Sequence, residues 1–412
     1  MASVPTSVLD SDRLAALLDD ARAREQQMVA HLVALAEMES PSSDAASQGP
    51  VLDHVEAELE ARGFRVLRRP GTRTGGLLVA ARSDVLHGRP VSFQLVIGHV
   101  DTVWPRGTLE SRPVVRDGDM LRGPGTYDMK AGLVQLLTAL DLLAADGLTP
   151  SVAPVVLVNS DEEIGSREST AAIQALAEHC DRAMVLEPSL GPRGALKTAR
   201  KGLGRYTVTV HGKAAHAGLD PTAGASAILE LSTVIQSLFA LNDPDRGVTV
   251  NVGMVSGGIQ PNVIAPESSA VIDVRVLTTQ DAEQVDAAIR GLTATTPGTS
   301  LSIDGGMGRP PLERTGRNAS LYEQATHLAD AMGMDLPEAT AGGGSDGNTA
   351  SQLAPTLDGL GAVGDGAHAE HEYVSIPGWV ERTALLSGLL MLPAVRPDVA
   401  PGVPDPLSLV HP

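Results

Sequence analysis

Several residue types are scarce in this chain, and each scarcity excludes a class of protein. A single cysteine, Cys180, rules out an internal disulfide and a cysteine-based zinc site, and we expect it to be a small buried hydrophobe. Only 2% of the residues are aromatic, which leaves few side chains on which nucleic-acid bases could stack. Acidic residues outnumber basic ones by 50 to 31, and the formal net charge of -19 disfavours phosphate binding. We therefore expect a protein that does not bind nucleic acid.

Long hydrophobic runs are also lacking. The longest apolar stretch near the C-terminus, residues 384–395, is interrupted by Ser387, Gly388 and Pro393 and is too short to cross a bilayer. The first twenty residues lack the basic start and the apolar core of a secretory signal. The sequence therefore predicts a cytoplasmic protein that does not enter a membrane.

The spacing of apolar residues divides the 412-residue chain into two parts, a length that suits two domains. Over 1–200 and 310–412, apolar strands alternate with helical patterns, which is typical of a mainly parallel sheet covered by helices. Residues 201–309 instead follow the order β-α-β-β-α-β, the plan of a ferredoxin-like α+β domain. Glycines and prolines crowd residues 305–311 and predict a linker there. We expect a small domain inserted into a larger α/β domain.

Histidine and acidic residues directly follow several predicted strands. His99 and Asp101 stand in GHVDT, Glu162 and Glu163 stand in the DEE turn, and Glu187 precedes a proline. Each alone has a plain structural interpretation, as a turn cap, a solvated acidic loop or an acid at a loop entry. Their shared position is informative, because ligand sites of open α/β sheets lie at the carboxyl ends of the strands.

Two further residues complete the candidate set. Asp128, in GPGTYDMKAG, opens a predicted helix over 129–145, where it fits either an N-cap or a carboxylate that bridges two cations. His368, in GDGAHAEHEY, follows another predicted strand. One bridging carboxylate, two further carboxylates and two imidazoles make a suitable set for two Zn²⁺ ions about 3.5–4 Å apart.

Taken together, the sequence motifs over residues 24–392 resemble those of a known protein family. The motifs resemble, in the same order, those of the co-catalytic zinc aminoacylase and carboxypeptidase family. They are GPGTYDMKAG, the DEE turn, LEPS, GKAAHAG, QPNVIAP with DVR, and GGGSDGN. That family includes glutamate carboxypeptidases, acetylornithine deacetylases and succinyl-diaminopimelate desuccinylases, and the glutamate carboxypeptidases look most similar. The resemblance implies a zinc-dependent exopeptidase-like catalytic domain and an inserted lid through which two chains form a homodimer.

The resemblance also implies roles for the clustered residues. One zinc would be held by His99, Asp128 and Glu187, and the other by His368, Asp128 and Glu163, with Co²⁺ or Mn²⁺ as possible substitutes. Glu162 would be the general base, and Asp101 would orient His99. The family's last histidine usually precedes the glutamate of a Glu-Tyr pair by four or five residues, which favours His368 over His371.

In the lid, the resemblance gives His216 an oxyanion-stabilising role in the partner subunit's site and gives Asn262 a role in substrate binding. Arg275 either forms a surface ion pair with Asp273 or Asp281, or grips a substrate carboxylate. The loop containing Gly343 and Gly344 would let substrate approach the backbone.

Seven further histidines, among them 31, 54 and 179, have no companions at ligand spacing. We expect these histidines to be structural or solvated.

Together these features predict a di-zinc metallohydrolase that cleaves an amide bond next to a free carboxylate, as a glutamate-type carboxypeptidase does. An N-acyl-amino-acid deacylase of the same family is the alternative. A catalytically inactive metal-binding module is the alternative of another class, and the presence of Glu162 disfavours it because a module needs ligands but no base.

Overall fold

A computed structural model describes residues 9–82, 92–396 and 404–410. The first eight residues, on which the expectation of no secretory signal partly rests, lie outside this range. The chain divides into two compact units. The larger unit comprises Met1–Thr198, Arg314–Thr340 and Ser345–Pro412, and the smaller comprises Ala199–Glu313 and Ala341–Gly344.

The first part of the chain alternates helices and strands. In order these are α1 (Ser11–Ala23), α2 (Glu25–Ala36), α3 (Ala45–Ala61), β1 (Phe64–Arg69), β2 (Leu77–Arg82), β3 (Phe93–His99), α4 (Thr108–Ser111), β4 (Val115–Asp117), β5 (Met120–Arg122), α5 (Ala131–Ala145), β6 (Ala153–Asn159), α6 (Thr170–His179), β7 (Arg182–Val185) and β8 (Leu196–Arg200).

The rest of the chain contains the smaller unit and then returns to the larger one. Its elements are β9 (Gly202–His211), α7 (Ala227–Phe239), β10 (Thr249–Gly257), β11 (Glu267–Val276), α8 (Thr279–Arg290), β12 (Ser300–Arg309), α9 (Gly316–Ala331), β13 (Glu338–Ala341), α10 (Asp346–Ala350), β14 (Thr356–Leu357), β15 (Gly364–Asp365), β16 (Tyr373–Ser375) and α11 (Ile376–Leu390). None of the helices in the described part of the chain is both long and apolar enough to cross a membrane.

The main sheet of the larger unit has the strand order β1-β2-β6-β3-β7-β14. β3 runs parallel to β6 and β7, and β7 runs parallel to β14, whereas β1 and β2 join antiparallel at one edge. Every residue of β3 and of β6 is buried, as expected for central strands with helices on both faces. The prediction of a mainly parallel sheet is confirmed.

The smaller unit consists of one antiparallel sheet of strand order β10-β11-β9-β12 with helices α7 and α8. Buried and exposed residues alternate along β11, so one face of the sheet contributes to a core that contains Tyr206, Val208 and Ile272. The element order β-α-β-β-α-β is the predicted ferredoxin-like one.

The linker predicted over 305–311 is wrong for residues 305–309, because β12 continues to Arg309. Gly305 pairs with Tyr206 on β9, and its φ of 96° lies in the region that favours glycine. A Cβ atom at Gly305 would lie 2.2 Å from the carbonyl oxygen of Arg205. The glycines therefore allow close strand approach here.

Candidate metal centre

His99 ends the central strand β3, and its ring is buried. Its Nδ1 lies 2.9 Å from the backbone carbonyl oxygen of Asp101 and 3.4 Å from Asp101 Oδ1. Because both neighbours are oxygen acceptors, Nδ1 is the donor. Nε2 therefore faces two other carboxylates, at 3.6 Å from Asp128 Oδ1 and 3.6 Å from Glu187 Oε1.

Asp128 lies between two groups of donors. Its Oδ2 is 3.3 Å from His368 Nε2, and that nitrogen is also 3.0 Å from Glu163 Oε2. Two triads result, one of His99, Asp128 and Glu187 and the other of Asp128, Glu163 and His368, and within each triad the candidate ligand atoms lie within 4.8 Å of one another. The structure thus brings together all five residues that the sequence analysis selected as ligands.

The N-cap interpretation of Asp128 is wrong. The helix predicted from residue 129 begins at Ala131, with Lys130 at the N-cap position. Asp128 lies in the turn Thr126–Lys130, where it has extended backbone angles and a cis peptide bond to Met129.

Two buried atoms at the centre of the cluster lack hydrogen-bond partners among the described residues. They are His99 Nε2 and Asp128 Oδ1. An unpaired buried polar atom is costly, and a cation between these two would satisfy both. Imidazole nitrogens with carboxylate oxygens form the donor set that zinc and similar divalent ions accept. The residues therefore fit a pair of metal ions that share Asp128.

The ionisation of the cluster reflects its excess of carboxylates. Burial, followed by the negative charge of Asp128, raises the pKa of Glu163 to about 7. Hydrogen bonds to Asp128 and Glu163 raise the pKa of His368 to about 11. Carboxylates that repel one another and imidazoles that retain protons both indicate a site that attracts positive charge.

The carboxylate of Asp101 joins His99 to the DEE turn. Its Oδ1 accepts a hydrogen bond from the N–H of Glu162 at 3.2 Å, and its Oδ2 accepts one from the N–H of Glu163 at 3.2 Å. Oδ2 also accepts a hydrogen bond from the Ser42 hydroxyl at 2.7 Å. Glu162 is buried and Glu163 is half-buried, so the interpretation of the DEE turn as a solvated loop is wrong.

Glu372 is a site residue whose role the sequence analysis did not assign. Its buried carboxylate accepts hydrogen bonds from the backbone N–H groups of Gly125, Tyr127 and Asp128 and from the indole N–H of Trp104. Burial raises the pKa of Glu372 to about 7. The Glu-Tyr pair marked this position in the sequence, but only the tertiary structure shows that Glu372 holds the turn that carries Asp128.

Lys197 was also missed, because no motif surrounds it. It is buried on β8, with its Nζ 3.9 Å from Glu187 Oε2. Of the two alternatives for the last histidine ligand, His368 belongs to a donor triad, whereas among the described residues His371 belongs to none.

In the smaller unit, His216 and Asn262 lie side by side. His216 forms an isolated β-bridge with Val263, and the N–H of Ala217 donates to the carbonyl oxygen of Asn262 at 3.0 Å. His216 Nδ1 accepts hydrogen bonds from the backbone N–H groups of two residues that follow it, each at 3.2 Å. The proton of the neutral ring is therefore on Nε2, and the exposed side chain presents a donor.

Arg275 forms the ion pair that was one of its two predicted alternatives. Its Nε donates to Asp273 Oδ1 at 2.9 Å, and its Nη1 donates to the carbonyl oxygen of Gly342 at 2.8 Å. Arg200 holds the same loop through the carbonyl oxygens of Gly343 and Gly344. A Cβ atom at Gly343 would meet nothing within 4 Å, so the backbone there is open to approach.

The chain is similar to known proteins over most of its length. Residues 198–298 match the peptidase dimerisation domain of the M20 family. The chain is 29% identical over 399 residues to carboxypeptidase G2 of Pseudomonas sp. (strain RS-16), covering 95% of each chain. It is 27% identical over 362 residues to acetylornithine deacetylase of Myxococcus xanthus, covering 82% of this chain and 90% of the relative.

A solved structure shows the same fold. An M20 family metallo-carboxypeptidase from Sulfolobus solfataricus superimposes with a TM-score of 0.68 at 16% identity, covering 89% of this chain and 98% of that one.

Proposed function

Since the chain is a metallopeptidase or aminoacylase of the M20 family, as the confirmed resemblance predicted, we propose that it is a two-metal carboxypeptidase. Members of this family hydrolyse amide bonds. The proposed substrate is a peptide or peptide-like amide that ends in glutamate or a similar residue with a free carboxylate. The cytoplasmic location expected from the sequence stays a prediction.

The observation that carries this proposal is the sharing of Asp128 by two donor triads. We assign His99, Asp128 and Glu187 to one zinc ion and His368, Asp128 and Glu163 to the other. When bound, such a pair lowers the pKa of a water molecule and polarises the scissile carbonyl. Co²⁺ and Mn²⁺ prefer related donors and are expected to substitute.

Glu162 is proposed as the general base. The two glutamates of the DEE turn differ in their surroundings, because Glu163 lies against His368 in a donor triad whereas Glu162 belongs to neither triad. The Glu162 backbone is anchored to Asp101, which fixes the start of its side chain. Its carboxylate would take a proton from the attacking water and pass it to the leaving amine.

Residues of the smaller unit are proposed to bind the substrate. Arg275 carries a positive charge in a chain of net charge -19 and is therefore a suitable partner for a substrate carboxylate, with Asn262, Gly343 and Gly344 as further contacts. His216 is proposed to donate its Nε2 proton to the developing oxyanion. We propose that it acts in the site of the other chain of a homodimer, which the match of residues 198–298 to a dimerisation domain supports.

A deacylase of N-acyl amino acids is the second candidate, favoured by the similarity to acetylornithine deacetylase. In both reactions the substrate carries a free carboxylate next to the amide bond that is cleaved. The metal-loaded protein should therefore be screened against C-terminal glutamyl peptides, folate-type compounds and N-acetyl or N-succinyl amino acids. Turnover only of the acylated amino acids would replace the carboxypeptidase assignment, and no turnover of any substrate would favour an inactive binding module.

The role of Glu162 is tested by a matched pair of substitutions. Glu162→Gln should keep the metal content and lower kcat by at least about 10²-fold, the low end for loss of a general base. Glu163→Gln should instead reduce the bound metal, measured by elemental analysis after dialysis. Near-normal turnover by Glu162→Gln would show that the base is another group.

The role of Arg275 is tested by comparing acids with their carboxamides. A hydrogen-bonded charge pair contributes about 1.5–3 kcal/mol, so Arg275→Ala should lower kcat/KM on acids by about 10- to 150-fold and on carboxamides very little. Asp273→Ala is the control, since it removes the ion pair but keeps the guanidinium. Equal losses on acids and carboxamides would mean that Arg275 supports the fold and does not bind the carboxylate.

The shared site is tested by complementation. His216→Ala and Glu162→Gln should each be nearly inactive, because one donor to an oxyanion contributes about 10²–10³ in kcat. After subunit exchange at equal mixing, about half the dimers are hybrids with one intact site of two, so about a quarter of the wild-type activity should return. No recovery, with exchange confirmed by native mass spectrometry, would place His216 in its own chain's site or outside catalysis.

A further inference from the structure

A second cluster of metal-binding side chains lies in the larger unit and shares no residue with the metal centre described above. His31 is on α2, and His54 and Glu58 are on α3. His54 and Glu58 are four positions apart, so both lie on one face of the helix. One nitrogen of each histidine and one oxygen of Glu58 all lie within 4.8 Å of one another. The sequence spacing did not reveal this cluster, because its members come from two different helices.

The two rings approach through the atoms that bind metals. His31 Nε2 is 3.1 Å from His54 Nε2, and the ring planes meet at 72°. Two nitrogens at about 2.0–2.1 Å from a tetrahedral zinc ion are separated by about 3.3 Å. The two imidazoles therefore need to separate by only a few tenths of an ångström to share an ion. A neutral pair with one N–H···N hydrogen bond is the competing interpretation of the same geometry.

Charged neighbours surround the cluster. Burial, which outweighs the charge of Glu58, lowers the pKa of His31. Burial alone would raise the pKa of Glu58, but the hydrogen bond from Arg62 lowers it. Arg62 pairs with Asp141 as well as with Glu58, and these three groups together carry a net charge of -1. Arg62 therefore orients the Glu58 carboxylate without making the cluster positive.

We propose that His31, His54 and Glu58 bind a divalent zinc-like ion as a site separate from the metal centre. Two imidazoles and one carboxylate are the ligand set of a three-ligand zinc site whose fourth position is left to water. The ion would connect α2 to α3 and so stabilise the larger unit, since a ligand that binds only the folded state shifts folding toward it.

The experiment measures zinc bound per chain by the full-length protein at equilibrium with buffered free Zn²⁺. Wild type is compared with His31→Gln and His54→Gln. The matched control is His179→Gln, which removes another half-buried histidine, whose Nδ1 lies 3.0 Å from the carbonyl oxygen of Ala175 on the same helix. Circular dichroism spectra verify that each variant is folded, and Glu58→Gln replaces a histidine variant that is not.

Wild type and His179→Gln should each bind one more zinc ion per chain than His31→Gln, His54→Gln or Glu58→Gln. Addition of Zn²⁺ should also raise the melting temperature of wild type by more than that of the cluster variants. The difference of one ion does not depend on how many ions the metal centre holds, so failure of the proposed function leaves this test intact. Equal zinc content in wild type and the cluster variants would overturn the proposal in favour of a histidine–histidine hydrogen bond.

Discussion

Replacing Asp101 by asparagine tests how the metal centre is held in place. The Asp101 carboxylate is fully buried and accepts the N–H groups of Glu162 and Glu163, one on each oxygen. Asparagine has nearly the same shape but only one acceptor oxygen. Its NH₂ group would face one of the two backbone N–H groups, and two donors cannot bond to each other.

The magnitude follows from these contacts. A hydrogen bond to a charged group contributes about 1.5–3 kcal/mol, and Asp101→Asn loses at least one such bond. We expect the free energy of unfolding of the metal-free protein to fall by about that amount. The same change removes the carboxylate 3.4 Å from His99 Nδ1. Loss of a group that orients a ligand typically costs about 10- to 100-fold in metal affinity, and we expect a loss of that size here.

Two measurements check this prediction. Urea unfolding gives the free energy of the metal-free protein, and competition with a chromogenic chelator gives the zinc affinity. Ser42→Ala is the control, because it removes one hydroxyl donor to Asp101 at 2.7 Å but leaves both carboxylate oxygens. It should lower stability by about 1.5–3 kcal/mol, the same range as Asp101→Asn, and leave zinc affinity unchanged. Wild-type zinc affinity in Asp101→Asn would refute the role of Asp101 in orienting His99.

Three further predictions are measured by urea unfolding, the last of them together with the zinc content. Burial alone would raise the pKa of Glu168, but hydrogen bonds from residues 72–74 lower it to about 2. The ionised Glu168 carboxylate therefore contributes fully to the free energy of unfolding above pH 4.5, and this contribution is lost as the pH falls toward 2. Glu168→Gln should lower the free energy of unfolding by about 1 kcal/mol at pH 7, after allowance for solvent screening. The difference from wild type should shrink below about pH 4.5, and an unchanged difference in acid would refute the link between the Glu168 pKa and stability.

Gly132→Ala should lower stability by about 1–2 kcal/mol although alanine has the better helix propensity, because the added Cβ atom would lie 2.2 Å from the carbonyl oxygen of Leu186. The matched change Gly316→Ala should raise stability by about 0.4–1 kcal/mol, because a Cβ atom there would meet nothing within 4 Å. Equal effects of the two glycine changes would contradict the role of close packing. Glu372→Gln should lower the free energy of unfolding by about 3 kcal/mol and reduce the bound zinc, since one amide oxygen cannot replace a carboxylate that accepts four N–H groups. Unchanged zinc content would show that the turn carrying Asp128 is held without Glu372.

The candidate site was predictable because its residues are positioned by elements that local patterns reveal. His99 ends β3, and the DEE turn and Glu187 follow β6 and β7. The carboxyl ends of these neighbouring parallel strands lie at one edge of the sheet. Glu372 was not predictable in the same way. Its four hydrogen-bond donors lie 244 to 268 residues away in the chain, and no local pattern records so distant a contact. The interpretation of Asp128 as an N-cap failed for the opposite reason, because the local pattern fits a helix start but the turn is held from outside by Glu372.

The alternation of strands and helices, the ferredoxin-like order of the smaller unit and the five candidate ligands could all be predicted from local patterns. These properties depend on periodicity and on motifs whose residues are close in the chain. Three other features appear only in the folded chain: β12 continues through its glycines, Asp101 links His99 to the DEE turn, and His31 lies beside His54 and Glu58. Each of these depends on distances between segments far apart in sequence, and such distances are set by packing of the whole core.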